Sequence, residues 1–234
     1  YKRQVVAVCS AADEQAAFVA QRALELREEG IELNDMAVLY RSHFHALEMQ
    51  LELTRRNIPF SITSGIRFFE QAHIKDVTSY LKWLANPRDE QAFKRLVLML
   101  PGVGGKTAMK LWGQFLTAHM DATPMAETLQ RCAAVPKKAK VPWAQFSATV
   151  SQLESDPVAG DAGKMIELIV EAGYDAYVEA NYDKAPQRLD DIEQLGVFAR
   201  QYETLETFLA ELALLTNVEA EQDRAEEDLS LIHI

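Results

Sequence analysis

Cysteine is nearly absent: Cys9 and Cys132 are the only two in 234 residues. They are far apart and fit no CxxC or Cys/His ligand spacing, which excludes a disulfide scaffold or zinc cluster and leaves reduced cytosolic thiols as the expectation. Proline (8) and glycine (10) are sparse and no low-complexity tract or repeat occurs, so the chain is expected to be ordered and globular. No apolar run reaches the roughly 18 residues that span a bilayer, and no membrane partner is expected. The opening YKRQVVAVCS has no long apolar core, so no signal peptide is expected there. A surplus of positive charge is also missing. The net charge of −11 argues at first against a nucleic-acid partner.

The distribution of charge argues otherwise. Between Lys94 and Met120 there are four basic residues, Lys94, Arg95, Lys106 and Lys110, and no Asp or Glu. Extending to Leu153 gives eight basic residues against two acidic ones, Asp121 and Glu127. That stretch therefore carries +6 of a total of −11, leaving −17 for the rest. Such asymmetry points to one local anionic partner on a self-repelling, acidic chain, although a chance cluster in a long helical region would look the same.

With 48% apolar residues the chain can build one large core or two modest ones. The first sixty residues read as α/β. Gln4–Val8 and Met36–Tyr40 have strand character, Asp13–Glu29 and His45–Arg56 have helical period, and Phe60–Thr63 is a further strand entered through Pro59. Gly30 is a C-cap candidate. Alternation of this kind predicts a parallel sheet with right-handed crossovers. From Ile74 to about Leu215 the period is helical, with breaks at Asn86-Pro87, Pro101-Gly102, Pro124, Pro136–Pro142, Asp156-Pro157 and Pro186. Residues 219–228 read as an acidic linker and Leu229–Ile234 as a strand returning to the first sheet. The strands are too few for a complete doubly wound sheet, which suggests truncation.

The most informative stretch is Leu96 to Leu111. Gly105-Lys106-Thr107 could end a P-loop, but the glycine needed five residues earlier is Leu100 and the context before it is helical, so that reading fails. A helix-hairpin-helix fits instead. One helix ends near Leu100, Pro101-Gly102-Val103-Gly104 turns, and a second helix starts near Lys106. Glycine permits positive φ and bares the backbone. Free amides at a helix start, at the positive end of its dipole, bind anions. Gly102, Val103, Gly104, Gly105, Lys106, Thr107 and Lys110 are the candidate DNA-binding residues, with Val103 plugging the gap between the helices. Contacts to the DNA backbone predict binding that ignores sequence and weakens with salt. The competing interpretation is an ordinary helical corner.

Other candidates are weaker. His43-x-His45 with Glu48 imitates a metal site but lacks further ligands, and no metal site is assigned. Asp190-Asp191-x-Glu193 and Glu226-Glu227-Asp228 read as solvated carboxylates. Arg41 follows the expected buried strand, where an α/β sheet places ligands, and with Tyr40 it suits a nucleotide: guanidinium on phosphate, ring on base. A structural ion pair is the alternative for Arg41.

Taken together, several blocks resemble the UvrD/Rep/PcrA-type superfamily 1A DNA helicases. They are Ala37-Val38-Leu39-Tyr40-Arg41-Ser42 with Glu48, Leu51 and Ile58-Pro59-Phe60; Ser64 to Glu70; Ile74-Lys75-Asp76 with Tyr80-Leu81 and Ala85-Asn86-Pro87; Pro101-Gly102-Val103-Gly104; Glu171-Ala172-Gly173-Tyr174; and Arg188 to Leu195. The resemblance is specific from Ala37 to Thr107 and weak from about Leu116 to Val170.

It implies an α/β plus all-α chain. Residues 1–85 would be part of the RecA-like motor domain 2A, 86–225 the inserted helical domain 2B containing the hairpin, and 226–234 a strand returning to 2A. It implies ATP with Mg2+ as cofactor, single- and double-stranded DNA as partners, 3′-to-5′ translocation with unwinding, and a cytoplasmic, nucleoid-associated setting of bacterial type. Arg41 would act catalytically on the γ-phosphate, and Tyr40 with Arg41 would bind the nucleotide.

The chain departs from the family at His43, at Ala46-Leu47, at Ser64 and at His73, where the family usually has Glu. It also has no Walker A loop and no acidic Mg2+ motif, so these residues alone are expected to be inactive. A non-enzymatic hairpin module and the helicase-like part of a repair exonuclease are the alternatives.

Overall fold

The computed structural model describes residues 4–40, 45–61, 68–119, 123–222 and 232–233. Its chain divides into two compact units, residues 1–70 with 212–234, and residues 71–211.

In the first unit, α1 (Ala12–Glu28) and α2 (His45–Arg55) pack on each other. Ala16, Ala20 and Ala23 form the buried stripe of α1, small enough for Met49 and Leu53 of α2 to approach closely, with Leu33, Ile58 and Phe60 completing the core. Both helices stop in the same way. Gly30 (φ +90°) follows α1 and Asn57 (φ +52°) follows α2 in left-handed conformations. The amide two places past each C-cap, Ile31 or Ile58, donates back to Leu26 or Leu53. This is the Schellman closure that glycine and asparagine accommodate best. Strand β1 (Phe60–Ser61) pairs in parallel with β2 (Ile232–His233), Phe60 opposite Ile232.

Two expected strands do not form. Residues 4–8 have no sheet partner among the described residues, and within 36–40 only Ala37 makes an isolated bridge. A buried parallel strand needs apolar cover on both faces, whereas Val5, Val6, Val8 and Leu39 are all more than 80% exposed. β-propensity alone leaves an extended chain here. Among the described residues the sheet consists of the β1–β2 pair, and the expected RecA-like sheet is not seen.

The second unit is helical: α3 (Ala72–Ala85), α4 (Glu90–Leu98), α5 (Gly105–Ala118), α6 (Met125–Gln130), α7 (Lys140–Leu153), α8 (Ala162–Ile169), α9 (Asp175–Asn181), α10 (Ala185–Ala199) and the start of α11 (Leu205–Gln222). Helix α11 runs past Glu219, where the composition predicts an acidic linker; residues 223–231 lie outside the described set. Pro186 does not break a helix but sits in the first turn of α10, where a missing N–H costs nothing. Trp83, Phe93, Trp112, Phe115, Trp143 and Phe146 form an aromatic core that ties α3, α4, α5 and α7 together, with the Trp83 and Phe115 rings 5.0 Å apart.

A polar cluster joins α4, α10 and the residues flanking α9 to α3. Asp76, 3% exposed, accepts from Arg95 Nε at 2.6 Å and from the Tyr174 and Tyr182 hydroxyls at 2.7 Å each. One helical turn earlier, His73 is fully buried. Its Nδ1 lies 2.8 Å from Arg188 Nη1, and its Nε2 lies 3.3 Å from Asp191 Oδ2. A guanidinium has only donors, so Nδ1 accepts and the ring proton is on Nε2, donated to Asp191.

Cys132 is buried behind α6, its thiol directed at the Thr128 carbonyl, and burial pushes the thiol up to about 11. At pH 8 it is a protonated, covered thiol and should resist alkylation by iodoacetamide in the native protein, then react fully in urea. Half-buried Cys9 should be alkylated first; native labelling of Cys132 at the rate of Cys9 would show that the segment after α6 opens.

Candidate nucleic-acid interface

Helix α4 starts on Asp89, whose carboxylate accepts from the Ala92 amide at 2.9 Å, and turns Ala92, Phe93, Leu96 and Val97 into the aromatic core. It ends at Leu98 in a run of tight turns: Leu100 N–H to Val97 O at 3.1 Å, then Val103 N–H to Leu100 O at 3.2 Å. Gly102 takes φ +78°, a conformation that favours glycine. Val103 is 7% exposed and belongs to the core between α4 and α5. Its side chain plugs the hairpin and cannot itself touch a ligand.

Gly104 is the N-cap of α5 with no side-chain cap, and the first helical bond is Ala108 N–H to Gly104 O at 2.9 Å. The amides of Gly104, Gly105, Lys106 and Thr107 have no acceptor among the described residues, as the geometry of a helix start dictates. Gly104, Gly105, Lys106 and Lys110 are exposed and Thr107 is half-buried. Amides already satisfied internally would have reduced the motif to a corner; the hairpin leaves them open.

Two glycines are unexplained by the fold. A Cβ built on Gly104 or Gly105 would meet nothing within 4 Å, and Gly104 has φ −105°, which any residue adopts. Gly105 is the first helical residue of α5. Only Gly102 is required by its backbone.

Lys106 and Lys110, at the start of α5, have no carboxylate partner among the described residues, as is true also of Lys75, Lys82, Arg88 and Lys184. Asp190 and Glu193 line a cleft with α8, while Asp191 is engaged by His73. No group of three or more His, Cys, Asp or Glu among the described residues could hold a metal.

A model of the UvrD-like helicase C-terminal domain matches residues 3–232. The chain belongs to that family. Relatives of this helicase domain include DNA helicase II of Haemophilus influenzae, 26% identical over 206 residues, covering 86% of this chain and 28% of the relative. ATP-dependent DNA helicase UvrD1 of Mycobacterium tuberculosis is 29% identical over 210 residues, 82% of this chain and 25% of the relative. ATP-dependent DNA helicase PcrA of Staphylococcus aureus is 23% identical over 220 residues, 88% of this chain and 30% of the relative. The chain thus spans between a quarter and a third of the length of these relatives.

Of the two nucleotide residues expected in the helicase domain, one, Tyr40, lies among the described residues, in the first unit. Tyr40 is half-buried against its core. Arg41, with His43, lies outside the described residues, as do Ser64 to Arg67. The family blocks at Ile74–Asp76, Gly173-Tyr174 and Arg188–Asp191 converge in the polar cluster of the second unit. No local signal announces that meeting, because the residues are a hundred positions apart and each is ordinary where it stands.

Proposed function

We propose that this chain is the part of an ATP-dependent DNA helicase that holds duplex DNA by its backbone and lends an arginine to ATP hydrolysis. The observation that carries the first half is the pair of glycines at 104 and 105, unexplained by packing, at the open start of α5. Phosphate oxygens approach such amides at the positive helix end without meeting a Cβ, and Lys106 and Lys110 add charge. Nothing in such contacts distinguishes one base pair from another. In the whole protein this grip would serve 3′-to-5′ translocation and unwinding in DNA repair or replication, with single-stranded DNA held elsewhere.

The second half rests on Tyr40 and Arg41. Tyr40 is half-buried and packs against the core of the first unit, and its ring would stack on the adenine. Arg41 would offer its guanidinium to the γ-phosphate oxygens as charge develops there. Bound ATP supplies the phosphoanhydride whose cleavage drives movement; its Mg2+ ligands are expected from residues outside this sequence.

The test uses a fluorescent 20-base-pair duplex of arbitrary sequence and anisotropy titrations from 50 to 200 mM NaCl. Wild-type affinity should fall steeply across that range. Gly104→Ala with Lys106→Gln should weaken binding at 50 mM by about tenfold or more while leaving thermal unfolding unchanged, since the new Cβ meets nothing. Equal binding by the variant would reduce the hairpin to a corner.

A further inference from the structure

The hairpin has an unassigned neighbour. A Cβ built on Gly102 would lie 3.6 Å from Lys138 Cβ and 3.9 Å from its Cδ. The aliphatic stem of Lys138 therefore lies against the tip of the hairpin, with its ammonium beyond. Lys138 belongs, with Lys137, to a strap, residues 131–139, that leads into α7, whose first residue is Lys140. All three are exposed and none has a carboxylate partner among the described residues. From these observations we infer that the strap is a second phosphate-binding element, and that duplex DNA held by the hairpin continues across Lys138 onto the start of α7. This rests on the proposed grip of the hairpin and extends it.

The strap is held in place rather than draped. The Ala134 amide donates to Gln114 Oε1 of α5 at 2.9 Å, and the Trp143 indole donates to the Leu129 carbonyl at 3.1 Å. Cys132 and Ala139 are buried in the core on either side of the lysines. The ammonium groups thus stand on a fixed backbone, which reduces the ordering needed on binding.

Helix chemistry points the same way. Acids stabilise helix starts and cations oppose the dipole there. Helices α4, α6, α8, α9 and α11 follow that rule with an acidic cap or an acid in the first turn. Helices α3, α5, α7 and α10 carry no acid in the first turn and no side-chain cap. At α5 and α7 lysine stands there, Lys106 and Lys140. Lysines at both starts suit an external polyanion that spans them, and of the polyanions, one with regularly spaced phosphates fits two elements side by side.

The test is the same duplex titration with the full chain. Lys137→Gln with Lys138→Gln should lower affinity at 100 mM NaCl about tenfold and flatten the plot of log K against log[NaCl] by roughly 2, about 0.9 for each phosphate no longer neutralised. Lys138→Arg should keep the wild-type slope, and Arg22→Gln with Arg27→Gln, an equal charge change in the other unit, should also leave it unchanged. Far-ultraviolet circular dichroism checks folding of each variant, all of whose changed side chains are exposed. A wild-type slope in the lysine pair, with binding still lost in Gly104→Ala/Lys106→Gln, would overturn the inference and leave the hairpin reading standing. The same drop in the Arg22/Arg27 variant would overturn it as a mere effect of net charge. Loss in the lysine pair with none in the hairpin variant would overturn both the shared path and the hairpin grip.

Discussion

Asp76→Ala should destabilise the helical unit by about 3–5 kcal/mol, measured by urea unfolding, because it removes one side of a buried charge pair and orphans two hydroxyls. Asp76 is 3% exposed and accepts three short bonds. Arg95 is about a third exposed and can turn to water, so most of the loss falls on Tyr174 and Tyr182. Alkaline pH should reproduce part of the effect. Burial first, and then the Asp76 charge, hold the Tyr174 hydroxyl far above its ordinary range; for Tyr182 burial leads again, followed by its hydrogen bond to Asp76. A raised folded-state value means that this stability is complete below the unfolded tyrosine value, about 10, and is lost as pH rises beyond it. Tyr174→Phe should be less stable than wild type at pH 8, by about 1.5–3 kcal/mol, but decline less between pH 10 and 11.5. Parallel decline in both proteins would detach Tyr174 from the alkaline transition, and a neutral Asp76→Ala substitution would remove the cluster's role in holding α3, α4, α9 and α10.

What the sequence could disclose follows from the range of the interactions involved. The turn between α4 and α5 was legible because its determinants are local: Pro101 and Gly102 force a turn, an apolar helix ends before it, and Gly104 opens the next. Helix α1 and its closure on Gly30 were legible for the same reason. The runs 4–8 and 36–40 misled because strand formation depends on a pairing partner that local composition cannot supply, and Val5, Val6, Val8 and Leu39 found none among the described residues. The polar cluster was illegible for the opposite reason. Asp191 belongs to an acidic run that reads as a solvated helix face, yet it accepts from His73, 118 positions earlier. His73 itself stands where the family usually has Glu; the histidine accepts from Arg188, as a carboxylate would, and donates its Nε2–H to Asp191. Lys138 is one of the eight cations of the basic stretch, and nothing local says that it lies on Gly102.

The largest kinetic effect is expected at Arg41. In the intact helicase, Arg41→Ala should lower DNA-stimulated phosphate release by about 10³-fold or more, the usual contribution of an arginine that meets developing charge on a transferring phosphoryl group. Arg41→Lys should recover little, because a point charge on a flexible stem does not reproduce the planar two-pronged donor. Duplex affinity should stay at wild type in both variants, since Arg41 belongs to residues 1–70 and the hairpin to residues 71–211. The two readouts separate the competing roles of this arginine. An arginine that merely braces its own unit would lower thermal stability and both activities together, and turnover within about fivefold of wild type is only about 1 kcal/mol of barrier, too little for a group at the γ-phosphate. A deep loss of hydrolysis with DNA binding and melting temperature intact is the pattern expected of contact with the nucleotide, and it would tie Arg41 to ATP while leaving the hairpin and its lysines to the duplex.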